Sequence, residues 1–350
     1  MPDFHHLTIQ HIERETPQAV SITFKVPADL AKEYEFIAGQ YLTLKTELEG
    51  QKIRRAYSIC SSPKSGILQV AVKEIEGGTF STVANNQLKE GDVLEVHPPE
   101  GNFLLETDAS AKHTYAAFAA GSGITPIMSM IKAVLEEEPQ SRFVLVFGNR
   151  TPEETIFHKA LLELQIAYPD RLFIEFVYSR HREENAHFGR IEKPTINYVV
   201  KNKFKDISFK AFYLCGPEEM ITVVSDVLVE NGIEKGTIYF ELFTSSSEAT
   251  EIEADLDGKT NITVVVDDEE FTFAMDQKKT ILDAALDEDI DAPYSCQGGV
   301  CSSCICRITE GTAVMEKNSI LTDGEIAEGL ILACQAHPTS ASLSIDFDDV

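Results

Sequence analysis

Four of the seven cysteines in this 350-residue chain fall within eleven positions, in the stretch PYSCQGGVCSSCICRITEG that spans residues 293–311. No other feature limits the fold so strongly, because a chain that gathers thiols must turn its backbone around whatever they hold. Cys296, Cys301 and Cys304 are separated by four and then two residues, and Cys334 follows after another 29, in LACQAHP. C-x4-C-x2-C with a distant fourth cysteine is the spacing of a 2Fe-2S centre. Structural zinc, the alternative, usually draws on two close cysteine pairs, and no second cysteine lies close to Cys334 in the sequence. Gly298 and Gly299 let a chain free of side-chain bulk wrap a cluster, and successive amides through Ser302 and Ser303 can point at its sulfides. Cys306, two positions past Cys304, reads as a buried thiol or an alternative ligand, and Cys60 as a packing residue.

A chain of this length exceeds one ordinary core, and domains of roughly 100 to 150 residues give two or three of them. Apolar residues make up 43% of the chain, and no apolar run approaches the roughly 20 residues of a membrane span, so a soluble protein is expected, with no membrane partner. The opening MPDFHHLTIQHIERE lacks a basic head followed by an apolar core, which places the chain in the cytoplasm, where thiols stay reduced. A net charge of -27 argues against nucleic acid, whose phosphates need a basic surface. The charge is uneven: from Ser247 onward 23 acidic residues face 5 basic ones, against 34 and 25 before it. That excess is either a solubilising surface or one that steers a basic protein partner.

Residues 4–106 alternate apolar and polar in short runs such as HLTIQHI, AVSITFKV, YLTLKT and ILQVAVKEI, broken by Gly and Pro turns, which predicts an antiparallel barrel. From His113 apolar strands (TYAAFAA, FVLVFG, LFIEFVYS, AFYLCG) alternate with helical patterns (MSMIKAVLEEE, HKALLELQIAY, MITVVSDVLVENG), the signature of a parallel sheet with crossover helices. After Phe243 the polar, acidic TSSSEATEIEADLDGKT predicts a flexible linker. A third unit then opens with two strands in NITVVVDDEEFTFAM, a helix in TILDAALDEDI and the cysteine stretch. The expected boundaries are 1–108, 109–243, a linker at 244–258, and 259–350.

With four ligand positions and CQ at the last of them, residues 259–350 resemble a plant-type ferredoxin domain, which implies an α+β β-grasp fold. RRAYSICSS in the barrel resembles the R-x-Y-S-x-x-S flavin motif of the ferredoxin-NADP reductase family, with FIAGQY and GGTFST in the places that family uses. By that resemblance Arg55 pairs with a phosphate, Tyr57 stacks on the isoalloxazine, Ser58 donates toward flavin N5, Ser61 completes the motif, and Gly77, Gly78 and Ser81 wrap the pyrophosphate. PPEGNF resembles the family's G-P-x-G-x-F segment that closes the barrel, with Pro98 in place of the first Gly.

AAGSGITPIMSM sets Gly121 and Gly123 between strand and helix, a phosphate-binding turn continued by Thr125 and Pro126. YLCGPEEM matches a C-G-P segment, which implies Cys215 beside the nicotinamide with Gly216 and Pro217 shaping its floor. Ser179, Arg180, Arg182 and Arg190 follow the next strand, where an Arg can neutralise a 2'-phosphate, favouring NADPH with NADH possible. Phe243 is either the family's aromatic near the flavin or ordinary core.

The order of domains, an antiparallel β-barrel flavin domain, an α/β parallel-sheet nicotinamide domain, then ferredoxin, resembles that of oxygenase reductases such as the phenylacetyl-CoA epoxidase type. Steroid-hydroxylase, vanillate-demethylase and phthalate-dioxygenase reductases are similar too. The resemblance implies FAD, with FMN as the alternative used by phthalate-type relatives, and electron delivery to an oxygenase docking on the acidic third domain. Other acceptors, or a free-standing diaphorase, remain as alternatives. No catalytic acid–base pair, nucleophilic triad or oxygen-activating site is visible in the sequence.

Overall fold

The computed structural model describes residues 4–48, 50–243, 256 and 258–350. The expected linker at 244–258 lies almost wholly outside the described residues. The chain divides into two units, Pro2–Glu241 and Leu242–Val350.

The first unit begins with six strands, β1 His5–Thr16, β2 Ala19–Lys25, β3 Tyr41–Leu48, β4 Gln51–Ser58, β5 Leu68–Lys73 and β6 Val93–Val96. They form one antiparallel sheet in the order β4-β3-β6-β1-β2-β5. The two edge strands meet at a bridge from Ile59 to Val70, which curls the sheet into a barrel. Alternation in the sequence is the reason: Leu7, Ile9, Ile22, Leu42, Leu44, Val70 and Val96 turn inward and are fully enclosed. FIAGQY and PPEGNF pair with each other. Tyr41 and Glu100 exchange backbone hydrogen bonds, and Leu105 N donates to Ala38 O. Gly39 has φ +106°, and a Cβ there would stand 1.9 Å from Phe103 O, so only glycine lets these two segments close. With Pro98 in place of glycine, the segment still lies along Ala38–Tyr41. A helix that the alternating pattern does not announce, α1 Thr79–Asn86, starts at GGTFST.

The same unit continues with β7 Thr114–Ala120, β8 Arg142–Asn149, β9 Leu172–Tyr178, β10 His187–Phe188, β11 Ala211–Cys215 and β12 Ile238–Glu241, all parallel, in the order β10-β9-β8-β7-β11-β12. The helices are α2 Ile124–Glu137, α3 His158–Ala167, α4 Lys193–Asn197 and α5 Glu218–Glu230. Runs of apolar residues such as Phe118, Val144, Leu145, Phe147 and Phe212 are buried, as a sheet covered on both faces requires. Helix α2 begins four residues before the helical pattern MSMIKAVLEEE, because Pro126 is tolerated in a first turn, where its missing N–H has no partner to lose. Arg171 closes its far end, donating to the carbonyls of Val134, Leu135, Glu138 and Ser141.

The second unit holds β13 Lys259–Val266, β14 Glu269–Asp276, β15 Ile305–Glu310, β16 Ala313–Met315, β17 Leu330–Leu332, β18 Ala336–Pro338 and β19 Ser342–Asp346, with α6 Ile281–Asp287 and α7 Asp323–Ala327. Five strands make a mixed sheet, β14-β13-β19-β15-β17, in which β13 and β19 run parallel, while β16 and β18 pair separately. Ile281, Leu282 and Ala285 of α6 are buried in the core with Ile262, Val264, Leu343 and Ile345 from the sheet.

Candidate functional site

Strand register explains how cysteines 30 residues apart meet. Strand β15 begins one residue after Cys304 and β17 ends two residues before Cys334, and the pair Ile305–Leu332 sets both cysteines at the same end of the sheet. Ala333 N donates to Cys304 O at 2.9 Å, which fixes that approach. The four thiols then contact one another in a chain, Cys301 to Cys296, Cys296 to Cys334 and Cys334 to Cys304. Among the described residues no group of three or more His, Cys, Asp or Glu is arranged around a single ion. Hydrogen bonds from the Cys301 and Cys334 thiols, joined by the amides of Gly298 and Val300, draw the Cys296 sulfur toward thiolate. Gly298 N lies 3.3 Å from it.

Ser295, 1% exposed and adjacent to Cys296, has a hydroxyl with no hydrogen-bond partner within the described chain. An orphaned donor beside four gathered thiols fits a sulfide-bearing cluster, since burying it without a partner would otherwise cost about 1–3 kcal/mol. Cys306 sits in β15, fully buried in the domain core, where desolvation pushes its thiol up. It packs as a small apolar residue. Cys60 is likewise enclosed, its thiol on Gln69 O, and burial pushes it up to about 12.

In the barrel, Arg55, Tyr57 and Ser58 close strand β4. The Tyr57 ring lies 5.5 Å from that of Phe80, whose helix α1 thereby backs it, and burial pushes the phenol up. Arg55 Nη1 donates to Arg54 O at 2.7 Å. Ser61 spends its hydroxyl within its own turn, on Ile67 O at 2.6 Å, while its carbonyl accepts from Ser129 of α2 at 2.7 Å. Lys132 of α2 donates to Cys60 O at 3.0 Å, so the end of the RRAYSICSS segment is tied to the helix that follows the Gly121–Gly123 turn. Gly77 and Gly78 lead into α1, whose first turn no side chain caps. Free N–H groups at a helix start suit an anion. Ser81 Oγ accepts from Ile75 N at 3.4 Å within that loop.

Gly121–Gly123 forms a 3-10 turn between β7 and α2. A Cβ on Gly123 would stand 2.0 Å from Cys215 O, so glycine is what lets the turn press against the C-G-P segment. Thr125 Oγ1 donates to Ser122 O at 3.0 Å, and Thr125 and Pro126 are buried. Cys215 ends β11, fully enclosed; Gly216 packs over Ala120, and Pro217 opens α5. Ser179 and Arg180 extend the pairing of β9 with β8, their amides donating to Asn149 O and Arg150 O. The side chains of Arg180 and Arg190 are exposed, and Arg182 lies over the Phe188 ring at 4.1 Å. Phe243 is 36% exposed, which removes it from the core.

Two residues complete this region without a signal in the sequence strong enough to assign them. Glu241 ends β12 beside Cys215 in register, and its Oε2 accepts from Ser58 Oγ at 3.2 Å. Burial pushes its carboxyl up to about 8, against a lowering by Ser58. Lys73 ends β5 with Nζ 3.7 Å from the position of a Cβ on Gly121, and burial, with Arg150 next, holds its ammonium below the usual range. Only the periodicity of neighbouring strands could have hinted at either.

Three family descriptions match in series: an oxidoreductase FAD-binding domain over residues 6–104, an oxidoreductase NAD-binding domain over 118–226, and a 2Fe-2S iron–sulfur cluster binding domain over 264–339. Over 99% of its length the chain is 38% identical to one component of the 1,2-phenylacetyl-CoA epoxidase of Escherichia coli (strain K12), covering 99% of that protein. The chain belongs to the flavin and iron–sulfur family of oxygenase reductases. Another member, the ferredoxin reductase component of 3-ketosteroid-9-alpha-monooxygenase from Rhodococcus rhodochrous, is 34% identical over 97% of this chain and 96% of its own. Among solved structures, phthalate dioxygenase reductase matches with a TM-score of 0.62 and 26% identity over 98% of both chains. This oxygenase reductase is therefore a multidomain oxidoreductase with FAD-binding, NAD-binding and 2Fe-2S domains, in that order. Among its described residues no helix is long and apolar enough to cross a membrane.

Proposed function

We propose that the chain takes reducing equivalents from NADPH and delivers them to a di-iron oxygenase of the phenylacetyl-CoA epoxidase kind, in the cytoplasm, during breakdown of aromatic acids. The observation that carries this reading is the meeting of Ser58, Glu241 and Cys215, which brings the flavin motif and the nicotinamide segment to one point in a chain whose other unit gathers four thiols. Domain limits of 1–108, 109–243 and 259–350, with a linker between the last two, go with it.

Bound FAD converts the electron pair of a hydride into single electrons, and a 2Fe-2S cluster carries them one at a time. The chain's own residues hold and order the partners. Arg55 and the uncapped start of α1 behind Gly77 and Gly78 would hold the flavin phosphates, with Ser81 bracing the loop, while Tyr57 backs the ring system. Ser58 offers a hydroxyl proton that Glu241 either accepts or leaves free. The Gly121–Gly123 turn, Lys73, Thr125 and Pro126 would seat the coenzyme's phosphates, and Ser179, Arg180 and Arg190 its ribose end. Gly216, Pro217 and the neutral thiol of Cys215 form a compact floor for the nicotinamide. Cys296, Cys301, Cys304 and Cys334 would hold the irons. The acidic excess of residues 247–350 suits a basic patch on the oxygenase.

The test is reconstitution. The purified protein, NADPH and a co-purified phenylacetyl-CoA epoxidase should support oxygen-dependent turnover, more strongly with NADPH than with NADH. Failure to reduce any such oxygenase, with visible flavin and iron–sulfur absorbance intact, would turn the assignment to another acceptor. Similarity to the 3-ketosteroid reductase makes a steroid hydroxylase the first one to try.

A further inference from the structure

The side chain of Gln335 stands between the two segments that supply the cysteines. Its Nε2 donates to the carbonyls of Cys334 at 2.8 Å and Gln297 at 3.2 Å, and reaches to 3.7 Å from Cys334 Sγ. The residue is 7% exposed, so water competes little for these bonds. The loop it grips is held in an unfavourable backbone conformation, since Gln297, a residue with a side chain, has φ +53°. Such a conformation persists only where its surroundings impose it. The stem of Gln335 packs against the same loop: a Cβ on Gly299 would lie 3.1 Å from its Cγ. Its backbone carbonyl is anchored in turn by Glu316 N at 2.9 Å.

We propose that Gln335 is a positioning residue for the iron–sulfur centre, its amide clasping the loop of the first three cysteines to the fourth and lending an N–H to the Cys334 sulfur. The inference rests on the 2Fe-2S reading of this domain. Two consequences follow. An N–H near a ligating sulfur favours the more negative, reduced state, so losing it shifts the reduction potential downward. Losing the clasp frees the loop, and iron leaves faster.

Gln335→Met keeps the stem against Gly299 and removes both donors; Gln335→Glu keeps the shape but sets a carboxylate against two carbonyl oxygens. Both should titrate at a more negative potential than wild type and release iron to a ferrous chelator roughly tenfold faster. NADPH-driven reduction of ferricyanide, which accepts directly from flavin, should stay unchanged. A Gln335→Met protein with full iron, an unshifted potential and wild-type release would overturn the clasp. If neither variant retains iron, thermal melts of the iron-free proteins decide: melting with iron-free wild type supports the clasp, and earlier melting overturns it in favour of a general role in the fold. Wild-type protein without iron would instead sink the cluster reading itself.

Discussion

Ser58 Oγ donates to Glu241 Oε2 at 3.2 Å across 183 positions of sequence, joining the last residue of a barrel strand to the last residue of the parallel sheet. The bond also couples a hydroxyl of the RRAYSICSS segment to a carboxyl lying beside Cys215 of the C-G-P segment.

That carboxyl, pushed by burial to about 8, is neutral below that pH and anionic above it. Anionic, it holds the Ser58 hydroxyl in a charge-assisted hydrogen bond; neutral, it competes for that proton more weakly. NADPH-driven ferricyanide reduction should therefore fall as pH rises through about 8 and stay level in Glu241→Gln. Folding stability follows the same sign. The unfolded carboxyl ionises near its ordinary 4.5 and the folded one near 8, so the contribution is full below the first value and is lost as pH climbs to the second. Across that window the urea midpoint of wild type should decline with pH more steeply than that of Glu241→Gln.

Removing one cluster ligand should divide the activities. Cys301→Ser is expected to bring NADPH-driven cytochrome c reduction to background, while ferricyanide reduction stays within about twofold of wild type. Equal loss of both in a folded variant would show that electrons do not pass from flavin to cluster.

The contact between Gly123 and Cys215 O leaves no room for a methyl group at 2.0 Å. Gly123→Ala should cost about 2–3 kcal/mol of stability, read as a lower urea midpoint, and weaken coenzyme binding because the turn must back away from the C-G-P floor. Gly236→Ala, at a glycine with open space around it and no left-handed backbone, provides the comparison without the clash.

Coenzyme choice should reside in the exposed arginines after β9. A charge-assisted bond to a 2'-phosphate contributes about 1.5–3 kcal/mol, so Arg180→Gln or Arg190→Gln should raise KM for NADPH roughly 10- to 100-fold and leave KM for NADH nearly unchanged. Equal effects on both coenzymes would remove these residues from 2'-phosphate recognition.

Much of the architecture was legible because it repeats. Alternation of period two announced the barrel, apolar strands alternating with helical patterns announced the parallel sheet, and cysteine spacing is a local statement about a loop. What escaped was non-local or too short to be periodic. Helix α1 has eight residues and opens on two glycines, too little for a helical pattern to register. Glu241 stands out in the sequence only as the end of a strand, since its meaning comes from Ser58 in another sheet. Lys73 is one more lysine closing an amphipathic strand until the Gly121 turn is folded beside it. Gln335 reads as part of a motif, but the two carbonyls it bridges lie in segments that only strand pairing brings together. Phe243, either flavin neighbour or core by sequence, was settled on one side alone, by its exposure.

The register of β15 with β17 carries a last consequence, for biogenesis. Three thiols belong to a short continuous loop, but the fourth arrives only when Ile305 has paired with Leu332. A nascent chain that has not yet emptied residue 334 from the ribosome cannot close the set. Completing the ligand set and pairing β15 with β17 would thereby be a single event, so that iron uptake and closure of the sheet would stabilise each other.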